Sequence, residues 1–262
     1  MDERNSILEI KGLGKTFESG TTVLDSLDLS VQSGAIYGFL GLNGAGKTTT
    51  IRIIAGLLRA DEGSVSLFGS PWTGTDSAVK SRLGFVLDEP LYFDWLSARE
   101  YLEWNGRMYG LPEEESHTRA AELLDFLDLP EVDTQQIKTF STGMKKKISL
   151  AAAIIHKPSL VILDEPFEGI DPLAARDIRD TLTLMASKGS TVLITSHILD
   201  TVERLCSHIG ILHNGRMLLE CRMDEYRDHA EQMLRHSATQ SLMDLFVELV
   251  GNRTRKSPPS YV

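Results

Sequence analysis

The sequence predicts an α/β fold built on a mostly parallel, covered β-sheet, with an antiparallel β subdomain near its N-terminus and an inserted helical subdomain. Three short apolar runs in the second half of the chain, at residues 160–163, 191–194 and 209–212, are separated by segments of helical periodicity. Strands that alternate with helices in this way form parallel sheets covered on both faces. The first forty residues instead carry short alternating runs between Gly and Ser, which predict antiparallel strands.

The individual elements follow from local patterns along the chain. Residues 7–10 and 27–31 alternate apolar and polar side chains, and residues 64–68 repeat the pattern, so each is expected to be a strand. Further along, the apolar residues return at helical spacing, which predicts a mostly helical insertion at about residues 86–155.

Composition limits the classes of protein to which the chain can belong. Of its 262 residues 42% are apolar and 24% charged, which is ordinary for a soluble globular protein. No apolar run approaches the roughly 18 to 20 residues that cross a bilayer. The charged residues 1–5 lack a secretion segment, so we expect a cytoplasmic location. Two cysteines, Cys206 and Cys221, do not make a disulfide framework or a zinc site and are expected to be reduced.

The negative charge is concentrated in one stretch. The formal net charge is −10, which argues against a nucleic-acid partner because phosphate backbones attract basic faces. Residues 86–135 carry thirteen carboxylates and three arginines, a net of −10, so the remainder of the chain is balanced. This stretch is either a solvated helical face or a docking surface for a basic partner, and the sequence leaves both open.

Residues 41–48 read GLNGAGKT and fill every fixed position of the phosphate-binding loop G-x-x-x-x-G-K-[ST]. Residues 36–40 before it read as a buried strand, and residues 49–57 after it have helical spacing. Glycines let the backbone point its N–H groups at phosphate oxygens, and the helix N-terminus attracts the same anion. Lys47 is expected to reach the β- and γ-phosphates, and the Thr48 hydroxyl to ligate Mg²⁺. The residues expected to contact the nucleoside triphosphate here are Gly41, Asn43, Gly44, Ala45, Gly46, Lys47, Thr48 and Thr49.

Two carboxylates, Asp164 and Glu165, follow the apolar run LVIL, in the region where open parallel sheets bind their ligands. This is the Walker B arrangement. Asp164 is expected to hold Mg²⁺ through its water shell, and Glu165 to orient and deprotonate the attacking water. Together with the phosphate loop, the pair predicts a P-loop NTPase that hydrolyses its nucleotide rather than only binding it.

Four further segments resemble the motifs of ABC transporter ATP-binding subunits. The segment FSTGMK at residues 140–145 is similar to the family signature LSGGQ, and GIDP at residues 169–172 is similar to the D-loop. The segment TSH at residues 195–197 resembles the switch-histidine segment. Phe17 stands where the family places an aromatic ring against adenine, and such stacking tolerates any base. The resemblance covers roughly residues 6–222.

The resemblance implies a dimer with two shared ATP sites. In the family fold the signature lies too far from the phosphate loop of its own chain, so each signature completes the partner's site. Ser141 and Gly143 are then expected to bind the γ-phosphate of the ATP on the other subunit. Asp171 is expected to lie at the subunit interface, and His197 to donate to the γ-phosphate and position water against Glu165.

Three positions depart from the family pattern. After a strand at residues 83–86 the family usually has a Gln, whereas the matching residue here is Asp88, which is charged and could ligate Mg²⁺ through water. The signature has Thr142 in place of the first Gly and Met144 in place of Gln, as in subunits that resemble type-2 ABC exporters. Residues 240–251 are similar to the closing helix of that subgroup.

These observations give an expected domain plan and function. The resemblance implies an ABC-type ATPase domain at residues 1–222, a helical extension at residues 223–252, and a basic, disordered tail at residues 253–262. The expected function is ATP hydrolysis that powers a separately encoded membrane permease, an exporter, from a homodimer on the cytoplasmic face of the membrane. The residues expected to be catalytic are Lys47, Glu165 and His197. Two alternatives are a soluble ABC-type ATPase and an ATP-gated scaffold without a transport role.

An aromatic segment at residues 91–96, LYFDWL, lies beside the acidic helices of the insertion. Exposed aromatic residues next to a patch of one charge suit a basic partner helix, so this segment is a candidate docking surface for the permease. Packing of the same aromatic residues in the core is the alternative, and the sequence does not choose between them.

Overall fold

Two β-sheets organise the computed structural model, which describes residues 6–88, 92–129, 134–228 and 241–251. The smaller sheet has the strand order β2-β1-β4-β5 and is antiparallel throughout. Its strands are β1 (Ser6–Thr16), β2 (Thr22–Gln32), β4 (Glu62–Leu67) and β5 (Ser70–Pro71). The expected N-terminal antiparallel subdomain is therefore confirmed. The expected tail at residues 253–262 lies outside the described residues.

The larger sheet has the strand order β10-β9-β3-β8-β7-β6. Five of its strands run parallel, and β10 is antiparallel to β9. Its strands are β3 (Ile36–Leu40), β6 (Leu83–Val86), β7 (Leu160–Leu163), β8 (Thr191–Ser196), β9 (His208–His213) and β10 (Arg216–Arg222). The mostly parallel sheet is confirmed, and the edge strand β10 is an element that the apolar pattern did not predict.

The alternation of side chains along β3 shows that this sheet is covered on both faces. Tyr37 and Phe39 belong to a core shared with β1, β2 and the first helix, so the small sheet packs against this face. Ile36 and Leu40 point to the other face and belong to a core formed with helices from the second half of the chain. Because successive side chains of a strand point to opposite faces, a sheet buried on both sides needs apolar residues at every position, as β3 has.

Helices form both the cover of the large sheet and a separate insertion. The helices are α1 (Lys47–Ile54), α2 (Ser77–Lys80), α3 (Ala98–Met108), α4 (Glu113–Phe126), α5 (Thr142–Ile154), α6 (Pro172–Ser187), α7 (Leu199–Leu205) and α8 (Leu242–Phe246). Helices α3, α4 and α5 pack around a hydrophobic core of their own that includes Leu102, Leu124 and Ile148. This is the expected helical insertion. A capping box of Ser97 and Glu100 satisfies the first N–H groups of α3 and fixes where that helix begins.

The C-terminal extension packs on the body of the protein. Leu242, Leu245 and Phe246 of α8 and Val250 beyond it are buried in the same core as α6 and α7. Residues 247–251 continue α8 as a turn of π-helix. Within the described ranges, no helix has the length and apolar character required to cross a membrane.

A glycine sets the distance between the insertion and the large sheet. A Cβ atom at Gly84 in β6 would lie 2.2 Å from the carbonyl oxygen of Ala153 in α5. Real Cβ atoms do not approach a carbonyl oxygen so closely, so this contact requires glycine. Helix α5 therefore lies directly on the backbone of β6.

We expect Gly84→Ala to destabilise the protein by about 1–3 kcal/mol, because the added methyl group must push α5 away from the sheet. Urea unfolding followed by circular dichroism measures this change. Gly251→Ala is the matched control, since its added Cβ would meet Val247 at an ordinary contact distance of 3.4 Å. Equal stability of the two variants would show that β6 and α5 separate at little cost.

Candidate active site

The carboxyl ends of the parallel strands bring the expected site residues to one edge of the large sheet. The phosphate loop follows β3, Asp164 follows β7, and His197 follows β8. Asp88 comes two residues after β6, and the backbone N–H of Asp164 donates to the carbonyl oxygen of Val86 at 2.8 Å. Open parallel sheets bind ligands at this edge. The strand order therefore explains why segments distant in sequence meet in one place.

The phosphate loop bends tightly between β3 and α1. Gly44 and Gly46 have φ angles of +81° and +116°, which side-chain-bearing residues rarely adopt. A Cβ atom at Gly46 would also lie 2.7 Å from the Leu24 side chain of β2. The N-terminus of α1 follows at once, and a helix N-terminus attracts anions. This loop has the backbone needed to bind phosphate groups.

Lys47 is buried in this loop at 6% exposure. Its Nζ atom donates to the carbonyl oxygen of Gly41 at 2.7 Å and to that of Leu42 at 3.4 Å. It also lies 3.3 Å from Oε1 of Glu165. A buried ammonium group needs such partners because its removal from water is costly. The structure thus joins the phosphate loop directly to the second of the two carboxylates that follow β7.

Glu165 also contacts the switch histidine. Its Oε2 atom lies 3.0 Å from Nδ1 of His197, whose ring is 39% exposed. Oε1 is buried and, apart from its ion pair with Lys47, makes no hydrogen bond of good geometry with any described residue. Lys47, Glu165 and His197 therefore form one continuous row of contacts, with an oxygen of Glu165 available as an acceptor.

A buried threonine connects the two carboxylates. The hydroxyl group of Thr195, the next-to-last residue of β8, donates to Oδ1 of Asp164 at 2.6 Å. The Thr195 hydroxyl oxygen in turn accepts the backbone N–H of Glu165 at 2.9 Å. Thr195 is fully buried. One side chain thus satisfies a carboxylate and a backbone donor that are both shielded from water.

The environment of Asp164 fits a bound divalent cation. Burial raises the pKa of Asp164, and the charges of Asp88 and Glu165 raise it further, while hydrogen bonds from Thr195 and Thr48 act in the opposite direction. Its Oδ2 atom is buried and lacks a hydrogen bond from the described residues. A hydroxyl group and several carboxylate oxygens are the hard ligands that Mg²⁺ prefers. The donor set around Asp164 therefore suits Mg²⁺.

The other phosphate-loop residues that are expected to contact the nucleotide differ in their exposure. Leu42, Asn43 and Gly44 form its exposed surface, whereas Gly41, Ala45 and Gly46 are buried beneath it. Thr48 and Thr49 are partly buried in the first turn of α1.

Ser141, Gly143 and Asp171 form a second group around the beginning of α5. Ser141 is exposed, and its hydroxyl oxygen accepts the N–H of Met144 as the N-cap of α5. Asp171 caps α6 by accepting the N–H groups of Leu173 and Ala174, and these bonds hold its pKa below the ordinary value. A Cβ atom at Gly143 would lie 3.3 Å from the Asp171 carboxylate. These residues therefore have local roles in helix capping and packing, independent of any nucleotide.

Phe17 lies at the tip of the hairpin between β1 and β2, with 40% of its surface exposed. The Lys15 ammonium group lies 5.8 Å from the centre of its ring. The start of β2 contacts the phosphate loop, since a Cβ atom at Gly46 would lie 3.0 Å from the carbonyl oxygen of Val23. The exposed ring therefore lies at the tip of the hairpin, and the strand β2 that follows it contacts the phosphate loop.

Three residues near Glu165 were not singled out by the sequence analysis. Thr195 has the position just described, and Glu168 brings a carboxylate oxygen within 4.8 Å of the ligand atoms of Glu165 and His197. Lys146 donates from its Nζ atom to the backbone carbonyl oxygen of Glu165 at 2.6 Å. Thr195 belongs to the segment at residues 195–197, and Glu168 lies between the carboxylate pair at residues 164–165 and the segment at residues 169–172. Lys146 instead reaches the site from α5, which no local pattern indicates.

Comparisons of sequence identify the relatives of this chain. The model of the ABC transporter family matches residues 24–168, more than half of the chain. The linearmycin resistance ATP-binding protein LnrL of Bacillus subtilis is 41% identical over 197 residues, covering 75% of this chain and 63% of the relative. The bacitracin transport ATP-binding protein BcrA of Bacillus licheniformis is 35% identical over 233 residues, with coverages of 88% and 74%.

A third relative is the daunorubicin/doxorubicin resistance ATP-binding protein DrrA of Streptomyces peucetius, 37% identical over 213 residues. The match covers 81% of this chain and 64% of DrrA. The chain thus spans between 63% and 74% of the length of these three relatives.

Solved structures give the same result for the fold. An ATP-binding subunit of an ABC transporter matches with a TM-score of 0.83 at 34% identity, covering 93% of this chain and 99% of the other. A nucleotide-free ATP-binding cassette from an ABC transporter matches with a TM-score of 0.75 at 26% identity, covering 86% and 94%.

Thr195→Val should lower the free energy of unfolding by about 2–4 kcal/mol, because it leaves a carboxylate oxygen and a backbone N–H buried without partners. Thr195→Ser keeps the hydroxyl group and should retain most of the stability. Thr183→Val is the surface control, since that exposed hydroxyl group only donates to the Arg179 carbonyl oxygen. Urea titration measures all three. A loss no larger than that of the Thr183 variant would refute the bridging role of Thr195.

Proposed function

The chain belongs to the ABC transporter family of ATP-binding proteins, and we propose that it hydrolyses ATP to power a separately encoded membrane permease that exports its substrate. The row of contacts from Lys47 through Glu165 to His197 is the observation that carries this proposal. It joins a phosphate-binding group, a general base and a polar group that can orient water, which are the parts that phosphoryl transfer to water requires.

The phosphate loop would hold the triphosphate of ATP. Its backbone N–H groups and the N-terminus of α1 favour phosphate oxygens. Lys47 would exchange its contact with Glu165 for the β- and γ-phosphates, so nucleotide binding would release the Glu165 carboxylate toward the attacking water. Phe17 would stack on the base without reading its hydrogen-bonding groups.

Hydrolysis would then depend on position and charge. Glu165 accepts a proton from the water molecule while the water oxygen bonds to the γ-phosphorus. The bond between the γ-phosphorus and the bridging oxygen breaks, and that oxygen leaves with the β-phosphate. His197 orients the water and donates to the γ-phosphate. Thr195 keeps the backbone of Glu165 in place during these events.

Thr48, Asp164 and Asp88 are the residues that would hold Mg²⁺, Asp164 and Asp88 through its water shell. When bound, Mg²⁺ neutralises charge on the phosphate oxygens. Thr195 keeps the Asp164 carboxylate oriented through its hydrogen bond of 2.6 Å to Oδ1. Asp88 adds a negative charge at a position where the family usually has a neutral Gln.

A homodimer would complete each ATP site. Ser141 is exposed at the start of α5, and Gly143 is buried in the first turn of that helix. The helix N-terminus and the Ser141 hydroxyl could bind the γ-phosphate held by a partner subunit. Asp171 stands beside them at the start of α6 and would lie at the subunit interface. The exposed Leu173 and Leu42 side chains offer apolar surface for the same interface.

The names of the relatives support export. They describe resistance to linearmycin and to daunorubicin and doxorubicin, and transport of bacitracin. Removal of a toxic compound from a cell confers resistance to it, so we propose that this chain serves an exporter at the cytoplasmic face of a membrane. The soluble ATPase and scaffold alternatives lack a comparable observation. Stimulation of ATPase activity by a co-expressed permease would separate transport from both.

A surface on the insertion is the proposed permease contact. Trp95 is 66% exposed, and the centre of its ring lies 5.4 Å from that of Phe93 with the two planes tilted by 54°. Phe93 also meets Trp104 edge-on, at 4.8 Å between ring centres. Tyr92 is instead half-buried, and its hydroxyl group lies 2.7 Å from that of Ser149. The aromatic segment thus divides into an inward part and an exposed part. The exposed Asp94 adds negative charge beside Trp95, which suits a basic helix.

Glu165→Gln should bind ATP with nearly unchanged affinity but hydrolyse it at least about a hundredfold more slowly, because the amide cannot accept the proton. ATP-bound dimers should accumulate and be visible by size-exclusion chromatography. Phosphate release at saturating ATP and Mg²⁺ measures turnover, with Glu122→Gln on the surface of the insertion as the control. Turnover near the wild-type rate would remove Glu165 from the proposed role.

Trp95→Ala and Asp94→Lys should each weaken co-purification with the permease at least about tenfold, while ATPase activity of the isolated chain stays unchanged. Glu100 and Glu103 suit this test less well, because Glu100 caps α3 and Glu103 pairs with His117 at 2.7 Å. Leu57→Ala, another exposed apolar residue, is the control. Co-purification equal to that control would exclude this surface as the docking site.

A further inference from the structure

Glu165 has a backbone conformation that its own sequence does not favour. Its φ angle is +46°, in the left-handed region, although it carries a full side chain. This region is unfavourable for a residue other than glycine, because its Cβ atom crowds the following carbonyl oxygen. The next residue, Pro166, restricts the backbone of Glu165 further and favours extended angles. Contacts from elsewhere in the fold must therefore hold Glu165 in place.

Two such contacts lie on either side of its Cα atom. The N–H group donates to Thr195 Oγ1 at 2.9 Å, and the carbonyl oxygen accepts from Lys146 Nζ at 2.6 Å. A hydrogen bond from a charged donor such as the Lys146 ammonium group is stronger than one between neutral groups. Because they hold the peptide groups before and after the Cα atom, these two bonds restrain the backbone from which the Glu165 side chain extends. The N–H group of Glu168 also donates to the same carbonyl oxygen, at 3.3 Å.

The surroundings of Lys146 match this role. It lies in the second turn of α5, is half-buried, and reaches Glu165 across the gap between α5 and the end of β7. Burial lowers its pKa, while the carboxylates of Asp88, Glu168, Glu165 and Asp164 act to raise it. These four carboxylates thus favour the charged form of the group that donates to Glu165.

We propose that Lys146 is a positioning residue for Glu165, holding the strained backbone so that the carboxylate faces the attacking water. This rests on the proposed role of Glu165 as general base. Lys146 touches neither the phosphates nor the reacting atoms and acts only through the carbonyl group of Glu165. The helix that begins with Ser141 thereby supports the catalytic carboxylate of its own subunit.

Lys146→Met should lower kcat by about tenfold to a hundredfold, because a misplaced base loses its alignment with water. The KM for ATP should change less than about threefold, since the phosphate loop is untouched. Lys146→Arg can still donate to the carbonyl oxygen and should restore much of kcat. Lys188→Met, an exposed lysine at the end of α6, controls for loss of charge. Thermal denaturation establishes that each variant is folded, and Lys146→Gln serves if the Met variant is not.

A double variant provides the decisive measurement. Single-turnover hydrolysis with enzyme in excess should be no slower in Glu165→Gln/Lys146→Met than in Glu165→Gln, because Lys146 acts through the removed carboxylate. A further loss in the double variant would overturn the proposal. The proposal would also be overturned if Lys146→Met kept the wild-type kcat while Glu165→Gln was inactive. That result would leave the proposed function intact. An active Glu165→Gln enzyme would instead refute the role of Glu165 itself, and with it this inference.

Discussion

The hydrogen-bonded order β3-β8-β7-β6 is the constraint on which the rest of the structure depends. Each of these parallel strands ends at the same edge, and each delivers one part of the site: the phosphate loop, His197, Asp164 and Asp88. No single segment of the chain contains all of these site residues. The distances between them are set by the register in which the parallel strands pair. The burial of both sheet faces fixes that register, because a shift by one residue would exchange the side chains of the two cores.

Much of the fold and of the site could be predicted from the sequence, because the patterns that indicate them are short, contiguous and restricted to particular residue types. A glycine-rich loop between a strand and a helix leaves few alternatives, and paired carboxylates after an apolar run mark a strand end. The apolar strands that alternate with helices predicted the parallel sheet for the same reason. The structure brings Lys47, Glu165 and His197 into one row of contacts, although their functional roles remain proposals.

The remainder depends on contacts that no local pattern records. Lys146 has the same side chain as its neighbours Lys145 and Lys147, and only the packing of α5 on β6 directs it to Glu165 while Lys147 pairs with Asp177 at 2.6 Å. Strand β10 owes its place to pairing with β9, and Glu220 within it accepts the Tyr37 hydroxyl at 2.7 Å. The residue types at positions 171 and 143 do not by themselves indicate a nucleotide contact. Helix capping accounts for Asp171, and close packing accounts for Gly143, without a ligand.

Helix α5 belongs to two hydrophobic cores at once. Leu150 and Ala153 pack in the core under the large sheet, whereas Ile148 and Ala151 pack in the core of the insertion. Near the C-terminus of α5, the close contact between Ala153 and Gly84 fixes the distance of the helix from the sheet. Ser141 lies about 18 Å away, at the N-terminus of the same helix. The helix can therefore tilt about its contact with the sheet. A tilt of about 10° at that contact would move Ser141 by about 3 Å, which is comparable to the length of a hydrogen bond.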